Sequence, residues 1–206
     1  MRIPLFLLAS CLCLGLPGHG TAADKADVKA KWHTPYDLYL DPKEAFEMKT
    51  GTPDRVTFID VRTQPEVQFV GFSEVVDANI PFRTLDTGDW RIKYGGEYAT
   101  QRQTRNPDFV AAVDKLLESR SLDRKAPIIL MCTSGARSPK AAETLHEAGF
   151  DKVYTQYQGF EGIKAKQGPH QGKRMVNGWR NAGLPWGYAL PKSKMYFNFA
   201  PEQKQD

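Results

Sequence analysis

Cysteine is scarce in this chain: 206 residues carry three. Two of them, Cys11 and Cys13, sit in an apolar N-terminal run. One lone cysteine, Cys132, remains beyond it, so no disulfide scaffold can be built there. Zinc is excluded on the same ground, because Cys132 and the scattered His33, His146 and His170 have no ligand spacing. Charge of one sign is also lacking. Lys and Arg number 28 against 24 Asp and Glu, the net charge is +4, and no basic block or aromatic-basic stripe favours nucleic acid. No internal repeat or low-complexity run is present. The one long apolar run, Pro4 to Leu16, is too short to span a bilayer comfortably.

That run has an arrangement of its own. Arg2 precedes it, Pro17 and Gly18 break it, and Thr21-Ala22-Ala23 supplies small residues for cleavage. This is the layout of a secretory signal peptide over residues 1–23, cut after Ala22 or Ala23. The mature chain is then periplasmic or secreted, with no membrane span after processing. "LASC" ending at Cys11 also resembles a lipoprotein box, but it lies early and the apolar run continues past it. In an exported protein, Cys132 becomes the single leftover thiol and a candidate reactive group.

Strands and helices alternate through the rest. Asp41, Pro42 and Gly51 bracket a short helix over 41–51. "RVTFIDVR" (55–62) reads as a buried strand, 64–72 as a short helix, and 76–82 as a very short strand ending at Pro81. Asn106 and Pro107 open a helix whose Phe109, Val113 and Leu116 share a face. "APIILMC" (126–132) is a continuous apolar strand suited to the centre of a parallel sheet. Ser138 caps the helix that follows, with Pro139 next and Gly149 closing it. Residues 151–157 form a last strand. The expectation is an α/β fold with a mainly parallel central sheet flanked by helices on both faces. It occupies residues 24–172, with an inserted loop at 83–106 pinned by Trp90, Tyr94 and Tyr98. A C-terminal aromatic extension, 173–206, packs back on the domain.

Cys132 thus ends a buried strand immediately before a helix, where parallel sheets bind ligands. Gly135 suits the sharp turn required there, and the N–H groups of Cys132 to Ser138 can form an anion nest. The helix end adds positive potential, Arg137 adds a fixed cation, and such surroundings favour the reactive thiolate.

"CTSGARS" after "IILM", with "FIDVR" and "ANIP" upstream in order, resembles a rhodanese-type sulfurtransferase domain over roughly residues 35–165. The resemblance implies that Cys132 attacks the outer sulfur of an anionic donor such as thiosulfate. It implies a covalent persulfide on Cys132 with no cofactor, passed to a thiol or cyanide acceptor. Thr133, Ser134, Gly135, Ala136, Arg137 and Ser138 would form the cradle, with Arg137 attracting the donor. Asp60 and Arg62 match the family's "DVR" element and read as a structural pair near the loop. Two departures stand out: Gly71-Phe72 replaces the family's usual Gly-His, and "QGF" replaces a commoner double-glycine turn. The competing readings are a non-catalytic binding module, with a protein partner on the 83–106 loop or the tail, and a cysteine phosphatase or arsenate reductase. Cysteine phosphatases place five residues between Cys and Arg. Four residues separate Cys132 from Arg137, a smaller cradle suited to one sulfur.

Overall fold

A computed structural model describes residues 23–96 and 98–201. The leader expected over 1–23 therefore lies outside the described residues except for Ala23. Five strands form one sheet: β1 (Tyr39–Leu40), β2 (Thr57–Asp60), β3 (Ala78–Asn79), then β6 (Ile128–Met131) and β7 (Val153–Gln156). The spatial order is β1-β7-β6-β2-β3, and every pairing is parallel. Four α-helices cover it: α1 (Pro42–Gly51), α2 (Gln64–Val70), α3 (Phe109–Ser119) and α4 (Ser138–Glu147). No helix among the described residues is long and apolar enough to cross a membrane.

The central strand explains why both faces are covered. Ile128 and Leu130 point into one apolar cluster, with residues of α3 and α4. Ile129 and Met131 point into the other, with Ala45 of α1 and Val67 of α2. Side chains alternate along a strand, so a continuous apolar run needs two cores. Helix α1 starts where the sequence places it. The Asp41 carboxylate accepts the N–H groups of Lys43 (2.7 Å) and Glu44 (2.9 Å), and Glu44 accepts that of Asp41 (2.7 Å).

Three expectations are corrected. Residues 83–106 are not an irregular loop but an antiparallel ribbon of β4 (Arg83–Lys93) and β5 (Tyr98–Arg105). Trp90 does not pin it, being exposed. Helix α3 begins at Phe109, three residues past Asn106, whose side chain still caps the entering turn by accepting the Asp108 N–H at 3.1 Å. Ser138 is the first residue of α4 and not its side-chain cap: its Oγ is buried without a hydrogen-bond partner among the described residues. The tail is divided. Trp179 is fully buried, whereas Tyr188 and Phe197 are exposed.

Candidate active site

Cys132 follows β6 directly and is 1% exposed. Its Sγ accepts the backbone N–H of Arg137 at 3.3 Å. The N–H groups of Thr133, Ser134, Gly135 and Ala136 meet no acceptor among the described residues. The loop is therefore a run of free amide donors, closed at the sulfur end and leading into α4. Such a run concentrates positive potential without any side-chain charge.

The turn depends on Gly135, whose φ is +83°. A Cβ there would lie 1.8 Å from the carbonyl oxygen of Tyr157, so the loop can approach β7 only with glycine. From behind, the segment after β7 laces the loop in place. The N–H of Phe160 donates to the Cys132 carbonyl at 2.7 Å, and those of Glu161 and Gly162 donate to Thr133 O at 2.9 and 3.1 Å. A second lace lies outside the first: Trp179 N–H to Gly159 O and Arg180 N–H to Phe160 O, both at 2.9 Å. The C-terminal extension thus reaches the loop through one intervening layer of backbone.

Arg137 does not stand free over the thiol. Its guanidinium grips Glu66 of α2 at 2.7 and 2.5 Å, and donates to Thr133 Oγ1 at 2.5 Å. Thr133 Oγ1 in turn donates to Glu66 at 2.6 Å. Glu66 also accepts the Thr63 N–H (2.9 Å) and hydroxyl (2.8 Å), so one carboxylate fastens both the start of α2 and the loop. Burial alone would raise the Glu66 pKa, but the Arg137 guanidinium and Thr133 hydroxyl outweigh it and hold the carboxyl down to about 2. Burial likewise disfavours the Arg137 cation, and Glu66 overcomes it, so its pKa is raised.

Asp60 and Arg62 form a second ion pair, fully buried, joined at 3.0 and 2.6 Å. Arg62 also donates to Gly71 O at 2.8 Å and lies 3.9 Å over the Phe160 ring. Asp60 is in register with Met131, the residue before Cys132. The pair braces the floor beside the loop, and neither member hydrogen-bonds Sγ, whose donor among the described residues is the Arg137 N–H. At the departure from Gly-His, Phe72 is buried and bridges the tail at Gly187. No cluster of His, Cys, Asp and Glu able to hold a metal occurs among the described residues.

Sequence reading alone does not find Glu66. Its only local signature is the Thr63-x-x-Glu66 helix start, which accounts for one of its two tasks.

A cysteine at the end of a central parallel strand, seated in a loop of free amides at a helix start, defines an α/β domain with a thiol-centred loop. Residues 41–166 match the model of the Rhodanese-like domain, and the chain belongs to that family. Over 64 residues it is 34% identical to the thiosulfate sulfurtransferase GlpE of Actinobacillus pleuropneumoniae serotype 5b (strain L20), and equally to that of serotype 7 (strain AP76). The match covers 31% of this chain and 44% of those relatives, less than half their length. Among solved structures, Rv0390 from M. tuberculosis superposes with a TM-score of 0.52 at 32% identity, over 73% of this chain and 97% of that one.

Proposed function

We propose that the protein is a sulfurtransferase that carries a sulfane sulfur on Cys132. The single observation that carries this reading is the Cys132 sulfur held 3.3 Å from the Arg137 amide, at the mouth of a loop of unpaired N–H groups. The thiolate attacks the outer sulfur of thiosulfate or a related donor. The S–S bond of the donor breaks, and sulfite leaves with the electron pair. A Cys132 persulfide anion remains, which the loop amides hold. An acceptor thiolate or cyanide then attacks the outer sulfur, leaves as hydropersulfide or thiocyanate, and regenerates the Cys132 thiolate. No cofactor is needed for this balance. Because Glu66 neutralises Arg137, the amides and the α4 end draw the donor, and Arg137 keeps their geometry.

Intact-mass measurement tests the reading. Thiosulfate should add one sulfur atom, cyanide should remove it, and Cys132→Ser should lose both events. A Cys132→Ser protein that still makes thiocyanate at the wild-type rate would overturn it. The burial of Cys132 favours one second reading, a non-catalytic binding module. A wild-type protein that takes up no sulfur from any donor would support that alternative. We also propose export: the exported chain should begin near Ala23 or Asp24. N-terminal sequencing that instead finds Met1 or a lipidated Cys11 would overturn this.

A further inference from the structure

The β4–β5 ribbon lies against α4 and encloses with it an open groove of about 510 Å³. Its charged lining is Arg83, Arg91, Arg105, Lys140, Glu143 and Glu147; Lys140 and Glu143 pair with each other at 2.5 Å, which leaves three guanidiniums against Glu147. The register is informative. Arg83 and Arg105 are directly opposite each other across the ribbon. Like charges facing each other across strands oppose pairing, so this arrangement works against the ribbon's own stability. No carboxylate among the described residues pairs with Arg83, Arg91 or Arg105. One of these cations is already fixed. Arg105 donates to Thr144 Oγ1 at 2.9 Å, and its guanidinium lies 5.8 Å from the Phe82 ring centroid. Uncompensated guanidiniums in a groove, one of them held in place beforehand, fit an anionic ligand.

We propose that this groove is the docking site for an acidic segment of a protein partner. Two observations favour a protein over a small anion. Trp90 and Ile92 flank Arg91 on β4 outside the groove lining, exposed at 59% and 65%, apolar surface that a protein larger than the groove would cover and a small anion would not. Exposed tryptophan beside arginine is the composition of protein-binding surfaces. The groove is also open, and Glu147 on α4, which has no cation partner among the described residues, repels acid at that position and so orients an extended ligand. Lys140 stands in the first turn of α4, and its N–H bonds the Arg137 carbonyl at 3.1 Å. A bound segment would therefore come within a helical turn of the Cys132 loop. The partner would be the protein that delivers or accepts sulfur, which rests on the sulfurtransferase reading. The binding test below needs no sulfur, so the two readings fail separately.

The probe is a dye-labelled peptide of alternating glutamate and leucine, with a glutamine-for-glutamate peptide as control, both titrated with the chain from Ala23 onward by fluorescence anisotropy. The acidic peptide should bind, weaken as NaCl is raised, and lose roughly tenfold in affinity with Arg83→Glu. Arg83→Glu places opposite charges across the ribbon, so melting should not fall. Arg91→Glu provides a second variant and should weaken binding likewise. Equal binding of both peptides, absence of binding, or binding unchanged in both variants would overturn the proposal. Displacement of the peptide by equimolar inorganic phosphate would overturn it too, by making the groove a small-anion site.

Discussion

Glu66 and Arg137, from elements 71 residues apart in sequence, meet in a two-pronged ion pair at 2.7 and 2.5 Å. The pair ties α2 to the loop that carries Cys132, and its strength depends on Glu66 being ionised. Folding lowers the Glu66 pKa from 4.5 to about 2. A depressed carboxylate pKa contributes stability that is fully present above the unfolded value and is lost as pH falls through the folded one. Glu66→Gln should therefore cost on the order of 3 kcal/mol near pH 7, with the gap from wild type closing between about pH 4.5 and 2. Urea denaturation across that range checks it. A gap that stays constant with pH would show that the ionised state of Glu66 contributes nothing.

The same pair changes what Arg137→Ala should do. As a free donor magnet, Arg137 could be removed with little change in melting. As the partner of a buried carboxylate it cannot, because Glu66 would keep its charge with only the Thr133 and Thr63 groups to answer it. The loss should be about 3 kcal/mol or more, together with a fall in kcat/KM for thiosulfate as the loop loosens. In a double-mutant cycle, Glu66→Gln should remove most of the stability cost of Arg137→Ala. Additive costs would refute the coupling.

The sequence shows why one member of this pair is legible and the other is not. Arg137 lies in a compact motif where every neighbour bears on one turn. Glu66 acts across the fold, and spacing along a chain carries no mark of such a partner. Helix α1 is legible because Asp41, Pro42 and Glu44 work within one turn. The ribbon at 83–105 is not, because strand patterns come from one buried face, and here Trp90, Arg91 and Ile92 in succession are all exposed. The tail's aromatics look alike in sequence. Only the fold separates Trp179, which fills the core beside Phe58, from Tyr188, which does not.

Gly135 should tolerate no side chain. Its φ of +83° already disfavours one, and the Tyr157 carbonyl occupies the place of a Cβ at 1.8 Å. Gly135→Ala must push the loop off β7 or flip it, at a cost of about 3 kcal/mol or more. The sheet lies outside the turn, so far-UV circular dichroism should be retained while sulfur uptake from thiosulfate is lost. Wild-type uptake by Gly135→Ala would mean that the loop geometry around Cys132 does not govern the chemistry.

The C-terminal extension should be part of the site's support and not a separable appendage. Trp179 is fully buried, stands 5.5 Å from Phe58 and 6.1 Å from Phe46 between ring centroids, and donates from Nε1 to Pro185 O at 2.9 Å. Its backbone and that of Arg180 hold the 159–160 carbonyls, and the amides of 160–162 hold the carbonyls of Cys132 and Thr133. Trp179→Ala removes the anchor of the outer lace and should cost about 3–5 kcal/mol. The inner lace then loses its backing, and the Cys132 loop should open more often. Iodoacetamide should consequently alkylate Cys132 faster in Trp179→Ala than in wild type under conditions where both are folded. Trp186 offers the contrast. It is 36% exposed and rests on Phe160 at 5.9 Å, outside both laces. Trp186→Ala should leave the labelling rate near wild type. If Trp179→Ala folds and its cysteine reacts no faster, the extension packs on the domain without bearing on the loop.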